Sequence, residues 1–90
     1  MKRLPETVTV VDVPNEGLIS FLNKKVTLFC RNYFYTGVLV GVNDECILLS
    51  KASIVYETGA WTAATWTDAQ ALPFDLYVMR EAIESFGSGK

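Results

Sequence analysis

The stretch YTGVLVGVNDECILLSK, residues 35–51, decides the fold. It is a strand-forming run, yet it carries Gly37 and Gly41 four positions apart. Glycine weakens a strand interior because it has no side chain to pack and loses the most backbone entropy on ordering. At even spacing the two glycines fall on one face of a strand. There they mark a bend or a close approach of another backbone. A long strand bent sharply is how a very small sheet closes on itself. One face reads Tyr35, Gly37, Leu39, Gly41; the other reads Phe34, Thr36, Val38, Val40, Val42. Both are apolar, so both need cover, which argues for neighbouring subunits.

Working outward, KVTLFC (25–30) alternates Val26, Leu28 and Cys30 on one face, and Arg31-Asn32 makes a tight connection into the long strand 33–43. Asn43-Asp44-Glu45 is turn chemistry, and CILLSKASIVYE (46–57) is a third strand. Residues 58–73, TGAWTAATWTDAQALP, are polar and alanine-rich with two tryptophans, and read as a loop or an extended hairpin tip. FDLYVMR (74–80) and AIESF (82–86) supply two short strands broken near Glu81. Upstream, Asn15 is a candidate N-cap for a helix of two or three turns whose apolar residues are Leu18, Ile19, Phe21 and Leu22. The alternating TVTVVDV (7–13) belongs to an N-terminal arm or extra strand, residues 1–14. The domain is therefore expected over 15–87, with a loose tail at 88–90. The pattern predicts a mainly β fold: a short N-terminal helix, then five strongly bent antiparallel strands in a small SH3-like or OB-like barrel. With no 10–15-residue helix between strands, a parallel α/β sheet is excluded.

Ninety residues make one domain, which buries roughly 60–65% of its unfolded surface and is marginal alone. Half the residues are hydrophobic and 20% are charged, an apolar balance that suggests surface in need of a partner. The net charge of −2 and the pI near 4.9 give no global basic field for nucleic acid, although a local basic patch is compatible with them. No run reaches the roughly 18 apolar residues of a membrane span. The basic start MKR is followed by a short, alternating apolar run interrupted by Asp12, so no signal peptide is expected. Cys30 and Cys46 suit a reducing, cytoplasmic setting as small buried residues, with no disulfide expected between them. With no histidine and two cysteines, neither a metal site nor a Ser-His or Cys-His nucleophile is expected. The chain reads as a non-enzyme without a cofactor.

Residues 18–57 resemble the first motif of the Sm and Sm-like (LSm) family, and residues 76–86 its second. Gly37, Leu39, Gly41 and Asn43 stand at the first motif's spacing. VNDECILLSK is similar to the bacterial, Hfq-like branch, and VMREAIES places Arg80 at the basic position of the second motif. The resemblance covers about two-thirds of the chain. It implies a helix-capped, five-stranded bent barrel (the Sm fold) whose protomers join fourth strand to fifth in a ring of about five to eight subunits, removing exposed sheet edges. Three positions depart from the family. Ile47 stands where uridine binders carry asparagine, Asn43 where the motif has aspartate, and Glu81 where glycine or histidine follows the basic residue.

The candidate sites follow. Arg80 is implied to face the central hole and to stack on or pair with single-stranded RNA; the simpler alternative is an inter-subunit ion pair with Glu81 or Asp44. Asn43 and Asp44 occupy the base-reading loop of the resemblance, or are a plain turn. Trp61 and Trp66 are a stacking or protein-binding platform, or pack on their own hairpin or a neighbour. Tyr77, Val78, Met79, Ile83 and Phe86 lie on the strands implied to join subunits. Two functions stay open: RNA binding or RNA-chaperone-like activity with weak sequence preference, and a homo-oligomeric protein scaffold using the tryptophan loop.

Overall fold

The chain bends where Gly37 lies against its neighbouring strand. In the computed structural model, which describes residues 17–88 and residue 90, β1 (Lys25–Cys30), β2 (Phe34–Val42) and β3 (Cys46–Glu57) form an antiparallel meander. The β2–β3 register passes from Thr36↔Ser53 to Val38↔Ser50, so β3 carries an extra residue opposite Gly37. Lys51, inside that bulge, adopts a left-handed φ of 50°, and such bulges sharpen bend and twist. A Cβ on Gly37 would sit 2.8 Å from the Ser50 carbonyl oxygen and 3.2 Å from Ala52 Cα. The second glycine differs. Its Cβ would meet only Leu48 Cβ, at 3.6 Å, an ordinary contact.

The bend divides β3 between two partners. Its first half pairs with β5 (Leu76–Met79), Cys46↔Met79 through Leu49↔Leu76. Its second half pairs with β4 (Asp68–Ala71), Ser53↔Ala71 through Glu57↔Asp68. Between them Leu72 N–H donates to Ala52 O at 2.8 Å. A 3-10 turn, Arg80–Ala82, follows β5 and leads into β6 (Ile83–Gly87), which returns to β1. The result is a six-stranded antiparallel sheet, ordered β4-β3-β2-β1-β6 with β5 alongside β3. Among the described residues it is open: β6 pairs only with β1, and β4 and β5 only with β3.

Three expectations are revised. The sheet has six strands instead of five, because the 58–73 segment contains β4. All four residues of β4, Asp-Ala-Gln-Ala, are exposed, so backbone pairing rather than side-chain burial holds it. The expected helix is a single 3-10 turn, Leu18–Phe21, bounded by residues with left-handed φ, Gly17 (69°) and Asn23 (66°). Strict alternation in β2 also fails. The register shift between Leu39↔Leu49 and Gly41↔Leu48 puts an extra residue on β2, so Val42 packs against the core while Val40 is exposed. The arm at 1–14 and the Asn15 cap lie outside the described residues.

The core gathers Leu18, Val26, Leu28, Cys30, Leu39, Ile47, Leu49, Ala52 and Val78. The alternation of β1 is what brings Val26, Leu28 and Cys30 there together. On the other face, the cross-strand pair Thr27 and Thr36 is buried. The Thr36 hydroxyl donates to Val26 O at 3.1 Å, meeting the requirement that a buried polar group be bonded.

Because the group next to Gly37 is backbone, no side chain can swing away from a new Cβ. Gly37→Ala is expected to lower the free energy of urea unfolding by about 2 kcal/mol, and Gly37→Val by more. Gly41→Ala should stay within about 0.5 kcal/mol of the parent.

Candidate nucleic-acid interface

The β2–β3 turn and the 3-10 turn after β5 meet because β3 carries β5 on the edge opposite β2. Asn43 builds the first turn. Its Oδ1 accepts from Glu45 N–H at 2.8 Å and from Cys46 N–H at 2.9 Å, and its own N–H donates to Cys46 O at 3.0 Å. Arg80 joins the two turns. Its N–H donates to Glu45 O at 2.9 Å, and its guanidinium donates to Asn43 O at 3.0 Å. Asn43, Asp44 and Arg80, predicted from two motifs far apart in sequence, thus lie together and exposed at one end of the sheet. Within the chain the guanidinium holds a carbonyl. It has five N–H donors, so that bond leaves others free.

The Asn43 side chain is less available than Arg80. Its amide oxygen is committed to the turn, so base pairing through that atom would cost the turn two hydrogen bonds. Ile47, at the position where the resemblance expects an asparagine, is in the core. A second cation, Arg31, was not singled out in the sequence. It donates to Glu81 O at 3.2 Å from the β1–β2 connection. Two arginines therefore hold backbone carbonyls at or beside the second turn, Arg80 reaching out to Asn43 and Arg31 reaching in to Glu81.

The five residues predicted to join subunits divide by face. Tyr77 (68% exposed), Met79 (49%) and Phe86 (37%) point outward. Val78 is in the core and Ile83 packs against it. Phe86 also meets Phe21 edge-on, with ring centroids 5.8 Å apart.

At the opposite end of β3 the tryptophan loop folds back on the sheet. Trp61 packs edge-on against Phe29 (5.8 Å) and Trp66 (5.6 Å), and Phe29 in turn against Phe34 (4.7 Å). The loop thus covers part of the outer apolar face that the sequence assigned to neighbouring subunits. Trp66 Nε1 is buried with no acceptor among the described residues. Close by, Tyr33 and Tyr56 stand perpendicular, 5.6 Å apart, over an uncharged groove shared with Asn32, Phe34, Val55 and Thr58.

Neither cysteine is in a disulfide; Cys30 is buried as expected, but Cys46, at the turn-proximal start of β3, is only half-buried. Burial pushes the Cys30 thiol up, and Glu84 adds to the shift, which disfavours the reactive thiolate. Burial likewise raises the Tyr35 hydroxyl, with smaller contributions from Cys30, Tyr33 and Tyr56. Among the described residues no cluster of three or more metal-ligating side chains forms. No helix among them is long and apolar enough to cross a membrane.

No family model matches this chain, and comparisons with curated proteins and with solved structures gave no significant match.

Asn43→Ala removes the acceptor for two backbone N–H groups. It is expected to cost about 1–2 kcal/mol in urea unfolding, whereas Asn43→Asp, which keeps an acceptor there, should cost less than about 0.5 kcal/mol.

Proposed function

We propose that this chain is an Sm-like ring subunit that binds single-stranded RNA weakly, with little sequence preference, through Arg80 beside the Asn43–Cys46 turn. The observation that carries the reading is the Arg80 guanidinium bound to Asn43 O. It brings the two motif regions of the resemblance into one exposed site. The strand order supports the same reading. Taking β4 and β5 as halves of a fourth strand and β6 as the fifth gives an Sm-like, SH3-like barrel count, with the fourth and fifth strands each offering an edge that is free among the described residues. Joining those edges in a ring would cover Tyr77 and Met79 and repeat Arg80 once per subunit around a hole. An acidic protomer would then present a local circle of positive charge.

A second reading, a homo-oligomeric scaffold for another protein, is favoured by one feature of the site. Exposed Asp44 and Glu45 stand next to Arg80 where phosphates would pass, and the Asn43 amide oxygen is already bonded within the turn.

Fluorescence anisotropy with labelled oligouridine and oligoadenine, measured across salt concentrations, separates the two. Wild type is expected to bind both to within a few-fold, at about micromolar Kd or weaker at physiological salt, with affinity falling as salt rises. Arg80→Ala should remove the binding. Absence of binding even at low salt would select the scaffold reading.

A further inference from the structure

The tryptophan loop holds a cation. Lys90 Nζ lies 4.5 Å from the centre of the Trp66 ring and 5.4 Å from that of Trp61. Both are within the roughly 6 Å at which an aromatic face attracts an ammonium. The two indoles are nearly perpendicular, with an interplanar angle of 83°, so they form two walls of a corner. Two carbonyls supply further sides: the ammonium donates to Thr58 O and, at 3.4 Å, to Thr65 O. An ammonium has three N–H donors and no acceptor, and this corner offers it two carbonyl acceptors and two π-faces.

Charge at the root of the loop fits the same ligand. Glu57 and Asp68, which bracket residues 58–67, are directly paired across β3 and β4. Like charges in that position repel, and no lysine or arginine occurs in sequence from 52 to 79 to offset them. The cation comes from elsewhere in the chain. Lys25 Nζ, in turn, donates to the Lys90 carbonyl and ties the Lys90 backbone to the start of β1.

We propose that residues 58–67 form an ammonium-binding cage, occupied by Lys90 of the same chain and open to a lysine side chain of a partner polypeptide when Lys90 leaves. The ligand is a primary ammonium on an alkyl stem, which the indole faces can cover while the carbonyls take its protons. Lys90 follows the end of β6 by three residues. So short a tether gives an effective concentration on the order of millimolar or higher, and Lys90 acts as a built-in competitor. The inference rests on the loop alone and is independent of RNA binding at Arg80.

Two measurements test it. In wild type, proton NMR should find the Lys90 ε-methylene shifted upfield of those of Lys24, Lys25 and Lys51 by the indole ring currents. In Lys90→Ala, tryptophan fluorescence should titrate saturably with Nα-acetyl-lysine methylamide in roughly the millimolar range, at least about twofold tighter than in wild type. The Nε-acetylated form of the same probe, which has lost its charge, should give no response. The proposal is overturned by an unshifted Lys90 ε-methylene, by equal or absent responses in the two proteins, or by a response to the acetylated probe that matches the charged one.

Discussion

Everything in this sheet depends on the contact between the Gly37 backbone and the Ser50–Ala52 backbone of β3. A side chain at position 37 would collide with a carbonyl, and the extra residue in β3 exists to let the two strands turn together there. The left-handed φ of Lys51 is the local strain that accompanies this turn. From it follow the division of β3 between β4 and β5, the placement of Leu39 and Leu49 in one core, and the approach of the post-β5 turn to the β2–β3 turn. A straight hairpin of the same sequence would present β3 to a single partner and would leave Arg80 without a reason to meet Asn43.

The bend also leaves a problem at the boundaries. Small open sheets expose rows of unpaired N–H and C=O groups, and among the described residues the outer edges of β5 and β6 are free, with Tyr77 and Met79 exposed on β5. In the proposed ring, pairing one protomer's β5 with its neighbour's β6 would satisfy both edges at once. The loop at 58–67 addresses a different surface. Through Trp61 it covers Phe29 on the outer face, and the ammonium of Lys90 closes its open side. The two ends of β3 therefore carry two separate chemistries, a guanidinium beside an acidic turn at one and an aromatic cage at the other.

What was legible in the sequence was local. Alternation gave the inward face of β1, the crowding at Gly37 was readable from a glycine inside a strand-forming run, and Asn43 announced its turn. What was not legible depends on register. The bulge after Leu39 reverses the inside-outside pattern and sends Val42 inward, which period-two counting does not anticipate. β4 has little strand propensity and no buried residue, so only its pairing with β3 defines it. The helix shrinks to one turn because Gly17 and Asn23 bound it with left-handed backbone. Of the site, Arg80, Asn43 and Asp44 came from the resemblance rather than from composition. Arg31 and Lys90 went unnoticed because each acts on a carbonyl far away in sequence, Glu81 O and Thr58 O respectively.

The central claim is that the bend at Gly37 leaves the outer edges of β5 and β6 unpaired among the described residues, and that these edges carry the proposed ring. Sedimentation equilibrium at micromolar protein tests it most directly. The account predicts a mass several times the 10.0 kDa of one chain, whereas a monomer at that concentration would contradict it.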